Sequence, residues 1–71
     1  MPIISVVIAE GRSCEQKRDF CRRLTDAAVS ALLVRPDQVR IVLQETPLEN
    51  YAVAGITFAE REETAPKGQA V

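Results

Sequence analysis

Residues 3 to 9 form a largely apolar run rich in β-branched side chains, Ile3-Ile4-Ser5-Val6-Val7-Ile8-Ala9. This pattern predicts a strand covered on both faces rather than one that leaves a face in water. Glu10 and Gly11 end it. Ser13 followed by Gln16 reads as a capping box at the start of a helix, with Glu15 placed to favour the positive helix terminus. The spacing predicts a helix from Cys14 to Leu33. Phe20, Leu24, Ala27, Ala28, Ala31 and Leu32 share one stripe, and Arg18, Asp19, Arg22 and Asp26 lie opposite. Pro36 and Asp37 belong to the exit loop, after which Val39 to Gln44 alternates. Val39, Ile41 and Leu43 face one side of this second strand, and Arg40, Val42 and Gln44 face the other. Two strands joined through a helix pair in parallel with a right-handed crossover, and the helix covers only one sheet face. The bare face calls for a partner.

Beyond Pro47, the segment from Asn50 to Ala54 with Gly55 suits a small hairpin or turn that projects Tyr51. Ile56, Thr57 and Phe58 read as a short strand added to a neighbouring subunit's sheet. From Glu60 onward the chain has too little apolar content to pack, so a mobile polar tail is expected over residues 60–71, after a single domain over residues 1–59. The expected class is α/β (α+β): one β-α-β unit with a short C-terminal hairpin or strand, assembled into oligomers.

Seventy-one residues bury too little surface for comfortable stability unless disulfides, metal or partner subunits help. Cys14 and Cys21, seven positions apart, would stand about 10 Å apart on one helix, beyond disulfide reach, and they have no histidine to make a zinc site of usual spacing. A redox role for the pair is therefore disfavoured, and association remains as the stabilising device. A formal net charge of −1 argues against general affinity for nucleic acid or membranes. The N-terminal apolar run is short and lacks a basic leader, so a cytoplasmic location is expected.

Three residues carry candidate chemistry. Pro2 offers a secondary amine if Met1 is removed, and modest desolvation or nearby positive charge brings such an amine to general-base range near neutral pH. Its plainer reading is a strand that starts with a residue needing no donor. Arg12, just before the cap, opposes the helix dipole and so suits an anion held beside exposed helix N–H groups; otherwise it is a loop arginine in water. Arg40 interrupts an aliphatic strand, which points to an anionic ligand or to an ion pair with Glu45 or another carboxylate. A strand from Ile3 to Glu10 is about 25 Å long, so Pro2 and Arg12 cannot meet within one chain. Their cooperation requires a neighbouring subunit whose strand runs antiparallel.

With Pro2 and its apolar strand, Glu10-Gly11-Arg12-Ser13 followed by Glu15-Gln16-Lys17, and Val39-Arg40-Ile41 leading to Tyr51, the chain resembles the 4-oxalocrotonate tautomerases from Pro2 to about Phe58. The resemblance implies a β-α-β protomer in a homohexamer, a trimer of dimers, with no cofactor. It implies that Pro2 is the general base, that Arg12 binds the distal carboxylate, and that Arg40 binds the carboxylate and carbonyl end of the substrate. Tyr51 takes the place of the aromatic wall. The implied reaction converts 2-hydroxydienoates or enols to 2-oxo acids, as in aromatic hydrocarbon catabolism. Ala52-Val53-Ala54-Gly55 departs from the glycine-rich turn of that family, and Ala9 replaces a larger aliphatic residue. The competing expectation is a non-catalytic oligomeric subunit or scaffold that retains the fold.

Overall fold

A computed structural model describes residues 1–64 of the chain. Strand β1 (Ile3–Ala9) is followed by helix α1 (Cys14–Leu32), a 3-10 turn (Pro36–Gln38) and strand β2 (Arg40–Thr46). A second 3-10 turn (Leu48–Asn50) leads to a small hairpin, β3 (Ala52–Val53) and β4 (Ile56–Thr57), and to helix α2 (Phe58–Thr64). β1 and β2 pair in parallel from Ile3 opposite Arg40 to Ala9 opposite Thr46, giving the expected β-α-β unit. The α+β architecture anticipated from the hydrophobic pattern is the one found.

Local chemistry sets the helix ends. Ser13 Oγ accepts from Gln16 N at 3.1 Å, and Gln16 Oε1 accepts from Ser13 N at 2.9 Å, so two orphan donors satisfy each other's residues reciprocally. At the other end Leu33 caps α1 in the left-handed region, φ 56°, with its N–H on Val29 O. That conformation suits glycine and strains a leucine.

The sheet is covered on one face only. Ile4, Val6, Ile8, Ile41 and Leu43 are half-buried on the side where α1 lies. On the opposite face Ile3 and Val7 remain 71% and 63% exposed, and Val42 53%. Ala28 forms the whole of the fully buried hydrophobic core among the described residues. The radius of gyration is 15.4 Å, against about 11 Å for a compact domain of this length. The chain thus leaves apolar surface that a self-contained domain would bury.

Several boundaries differ from those read from the sequence. Of the expected helix stripe, Phe20 and Leu24 are half-buried and Ala28 is buried, but Ala27, Ala31 and Leu32 are exposed. A two-stranded sheet, with strands about 4.8 Å apart, is too narrow for a wider helix face to cover. Val39 closes the preceding turn, donating to Pro36 O at 3.2 Å, so β2 starts at Arg40 and runs on to Thr46. Ile56 and Thr57 pair with Val53 and Ala52 of the same chain. Phe58 opens a helix rather than extending that strand. The tail expected from Glu60 is helical as far as Thr64; the rest of it, residues 65–71, lies outside the described residues.

Candidate active site

Parallel pairing brings two of the four candidate residues together. Arg40 N donates to Pro2 O at 3.0 Å, so the first residue before β1 and the first residue of β2 meet at one end of the sheet. Arg40 does not pair with Glu45, the partner considered from the sequence. Its Nη1 instead donates to the main-chain carbonyl of Asp37 at 2.7 Å. One donor of the guanidinium fork is used, which leaves four for an anionic ligand. Arg40 is exposed on the face that α1 does not cover, and Pro2 is half-exposed. With Met1 attached the Pro2 nitrogen is an amide; it is a basic amine only in a chain that begins at Pro2.

Arg12 and Tyr51 lie at the other end. Seven residues of β1, at roughly 3.3 Å each, separate Arg12 from Pro2. Arg12 lines an open concavity of about 290 Å³ with Ile8, Gln16, Lys17 and Phe20. Its charge is balanced differently from that of its neighbour. Lys17 Nζ is hydrogen-bonded to Glu45 Oε1 at 2.8 Å, and that bond holds the ammonium above its ordinary 10.5. Arg12 has no hydrogen bond or ion pair among the described residues. The cavity therefore offers one uncompensated cation above an apolar floor of Ile8 and Phe20.

Tyr51 emerges just past the same end, because Glu10 ties both following segments to β1: its N–H donates to Thr46 O at 3.0 Å, and its Oε1 accepts from Leu48 N at 3.2 Å. The Tyr51 ring stacks on Phe58, with centroids 4.3 Å apart and planes inclined by 29°. Phe58 N donates to Tyr51 O at 2.7 Å. Arg61 reaches back over the Phe58 ring at 5.9 Å and donates from Nη2 to Val53 O at 3.0 Å. The hairpin loop Ala54-Gly55 has φ of 55° and 80°, the signs of a type I′ turn, with alanine where Asn, Asp or Gly is favoured.

Phe58, Lys17 and the Asp37 carbonyl were not singled out from the sequence. A signal for Phe58 was present: Thr57 and Glu60 have the spacing of a second capping box, and Thr57 Oγ1 accepts from Glu60 N at 3.2 Å while Glu60 Oε1 accepts from Thr57 N at 3.4 Å. Among the described residues, no cluster of three or more His, Cys, Asp or Glu side chains is placed to hold a metal ion. Cys14 and Cys21 are both free thiols.

Comparison with known proteins matches residues 2–61 to the family model for tautomerase enzymes. A probable tautomerase of Halalkalibacterium halodurans is 42% identical over 61 residues, covering 86% of this chain and all of that protein. A 2-hydroxymuconate tautomerase of Comamonas testosteroni is 35% identical over 60 residues, covering 84% of this chain and 95% of that one. Among solved structures, a 4-oxalocrotonate tautomerase isozyme from Methylibium petroleiphilum superposes with a TM-score of 0.86 at 48% identity, covering 90% of this chain and all of that one. A heterohexamer 4-oxalocrotonate tautomerase from Chloroflexus aurantiacus gives 0.80 at 40% identity, covering 84% of this chain and 97% of that one. A family match over residues 2–61, with the same fold in the solved relatives, means that this chain belongs to the tautomerase family.

Proposed function

We propose that the chain is a cofactor-independent tautomerase that converts 2-hydroxydienoates or enols of 2-oxo acids to their keto forms, with Pro2 as general base once Met1 is removed. The observation that carries this reading is the juxtaposition of Pro2 with Arg40 at an exposed sheet end, 3.0 Å apart through their main chains. In the proposed step the neutral Pro2 amine takes the enol hydroxyl proton while the O–H electrons form the carbonyl. The double bond shifts along the conjugated chain, and the ammonium returns the proton at carbon. Arg40 balances the charge that develops on the 2-oxo oxygen, an electrostatic contribution of about 3 kcal/mol when such a donor is well aimed.

Arg12 and Tyr51 serve the same reaction from other chains. Both lie at the sheet end opposite Pro2, and the uncovered face with Ile3, Val7 and Val42 provides the surface on which copies pack. An antiparallel neighbour brings its Arg12 to this chain's Pro2, where the guanidinium binds the distal carboxylate. The aromatic ledge of Tyr51 limits water at the amine. A heterohexamer is described for the Chloroflexus aurantiacus relative, which supports association into a hexamer; that the six chains here are alike is part of the proposal. Steady-state assay of the processed protein with a 2-hydroxydienoate or with phenylenolpyruvate tests the reading. Turnover that rises with pH as the amine deprotonates is expected, and turnover unchanged after chemical blocking of the amine would overturn it.

A further inference from the structure

The 3-10 turn that precedes β2 is tied more closely than a connecting loop requires. Gln38 and Arg35 are joined by two hydrogen bonds: Gln38 N donates to Arg35 O at 3.0 Å, and Arg35 N donates to Gln38 Oε1 at 2.9 Å. Val39 N closes the turn on Pro36 O at 3.2 Å, and Pro36 fixes its own φ at the first position. Arg35 Nε also meets Asp37 Oδ1 at 3.2 Å, but both side chains are about three-quarters exposed, so that contact adds little. The other side-chain tie in the turn is the amide of Gln38, a half-buried residue. What the turn presents is the Asp37 carbonyl, the acceptor that holds Arg40 Nη1 at 2.7 Å.

We infer that Gln38 is a positioning residue for Arg40: by bridging back to the Arg35 amide it fixes the 36–38 turn, and the turn aims the Asp37 carbonyl that orients the Arg40 guanidinium. The inference rests on the role proposed above for Arg40. A flexible arginine has many rotamers, and one fixed donor removes most of them while leaving the outer edge of the fork free for a carboxylate. The main chain of Arg40 is anchored separately, by Pro2 O at 3.0 Å. Gln38 makes no hydrogen bond to either residue.

The test uses the assembled protein beginning at Pro2. Gln38→Ala is expected to lower kcat roughly tenfold through misplacement of the guanidinium. Gln38→Glu, which keeps an acceptor for the Arg35 amide, is expected to restore most of it. In an Arg40→Ala background the Gln38→Ala change should have no further effect on kcat, because its route of action is gone. An additive loss in the double variant would overturn the inference while leaving the role of Arg40 intact, whereas a fully active Arg40→Ala would overturn the tautomerase role of Arg40 instead. An independent readout is the side-chain ¹⁵N spectrum of Arg40. Slow rotation of its Nη groups should be seen in the parent protein and in Gln38→Glu and be lost in Gln38→Ala; unchanged Nη signals in Gln38→Ala would overturn the inference whatever the kinetics show.

Discussion

The two ends of the parallel sheet are built differently. At the end where the strands begin, Pro2, Asp37 and Arg40 are linked by short hydrogen bonds, and the elements there hold one another in place. At the end where the strands finish, Arg12 has no partner among the described residues, and Tyr51 closes the 3-10 turn that Glu10 joins to the sheet. One end holds the proposed base and guanidinium; the other holds a cation with no partner among the described residues beside an aromatic ledge. On the proposed reading each is half of a site, and because the halves lie at opposite ends of a single strand, an antiparallel copy packed on the bare face would bring them together.

The largest effect expected from disturbing this arrangement is at Pro2. Retaining Met1, or blocking the amine chemically, should lower turnover by about 10²–10⁴-fold while sedimentation shows an unchanged assembly. Equal turnover in the blocked and free proteins would reduce Pro2 to the start of a strand. The pH profile follows from the same group. Only the neutral amine can take the proton, so activity should be lost as pH falls and the amine becomes an ammonium; turnover independent of pH would contradict a base at Pro2.

The next effect lies on the bare face. Val7→Asp places a charge where Val7 is 63% exposed in one protomer and buried in the proposed assembly. Each such apolar side chain contributes about 1.5–3 kcal/mol on burial, so the variant should sediment as smaller species at micromolar concentration. Retention of the full assembly would show that this face is not the contact. The arginines sharpen the difference between the ends. Arg40→Ala should lower kcat by about a hundredfold, and Arg12→Ala should mainly raise KM; identical effects of the two changes would erase the distinction.

The smallest effect concerns two strained positions. Ala54 and Leu33 hold φ of 55° and 56°. Relief of left-handed strain by Ala54→Gly or Leu33→Gly, offset by added freedom of the unfolded chain, should give about 0.5 kcal/mol of stability, readable as a small rise in Tm. A fall in Tm for both would show that the strain is compensated by contacts of those side chains.

Local signals made much of the fold legible. The apolar run at residues 3–9, the Ser13–Gln16 box and the alternation leading to Leu43 each depend on neighbours a few positions away, and each gave the right element. The misreadings have physical causes. Ala27, Ala31 and Leu32 satisfy the helix periodicity, but the two-stranded sheet is too narrow to reach them. Glu60 to Glu63 read as an unpacked tail because their charge masked the Thr57–Glu60 box and the Arg61 bond to Val53 O that support α2. In the candidate site the residue types Pro2, Arg12, Arg40 and Tyr51 were legible, as was the separation of Pro2 from Arg12. The acceptor that orients Arg40 was not, because it is a main-chain carbonyl whose placement depends on a turn and carries no side-chain signature.

The most direct test of a site shared between chains is complementation. A chain blocked at Pro2 and an Arg12→Ala chain are each defective, but each keeps the half that the other lacks. Dissociated, mixed and reassembled, they should form hybrid assemblies in which intact Arg12 and free Pro2 meet at a fraction of the sites, and turnover at substrate well below the KM of the Arg12→Ala parent should rise well above the sum of the two parents. Mixed assemblies, verified by native mass spectrometry, that show no more than that sum would contradict the shared site.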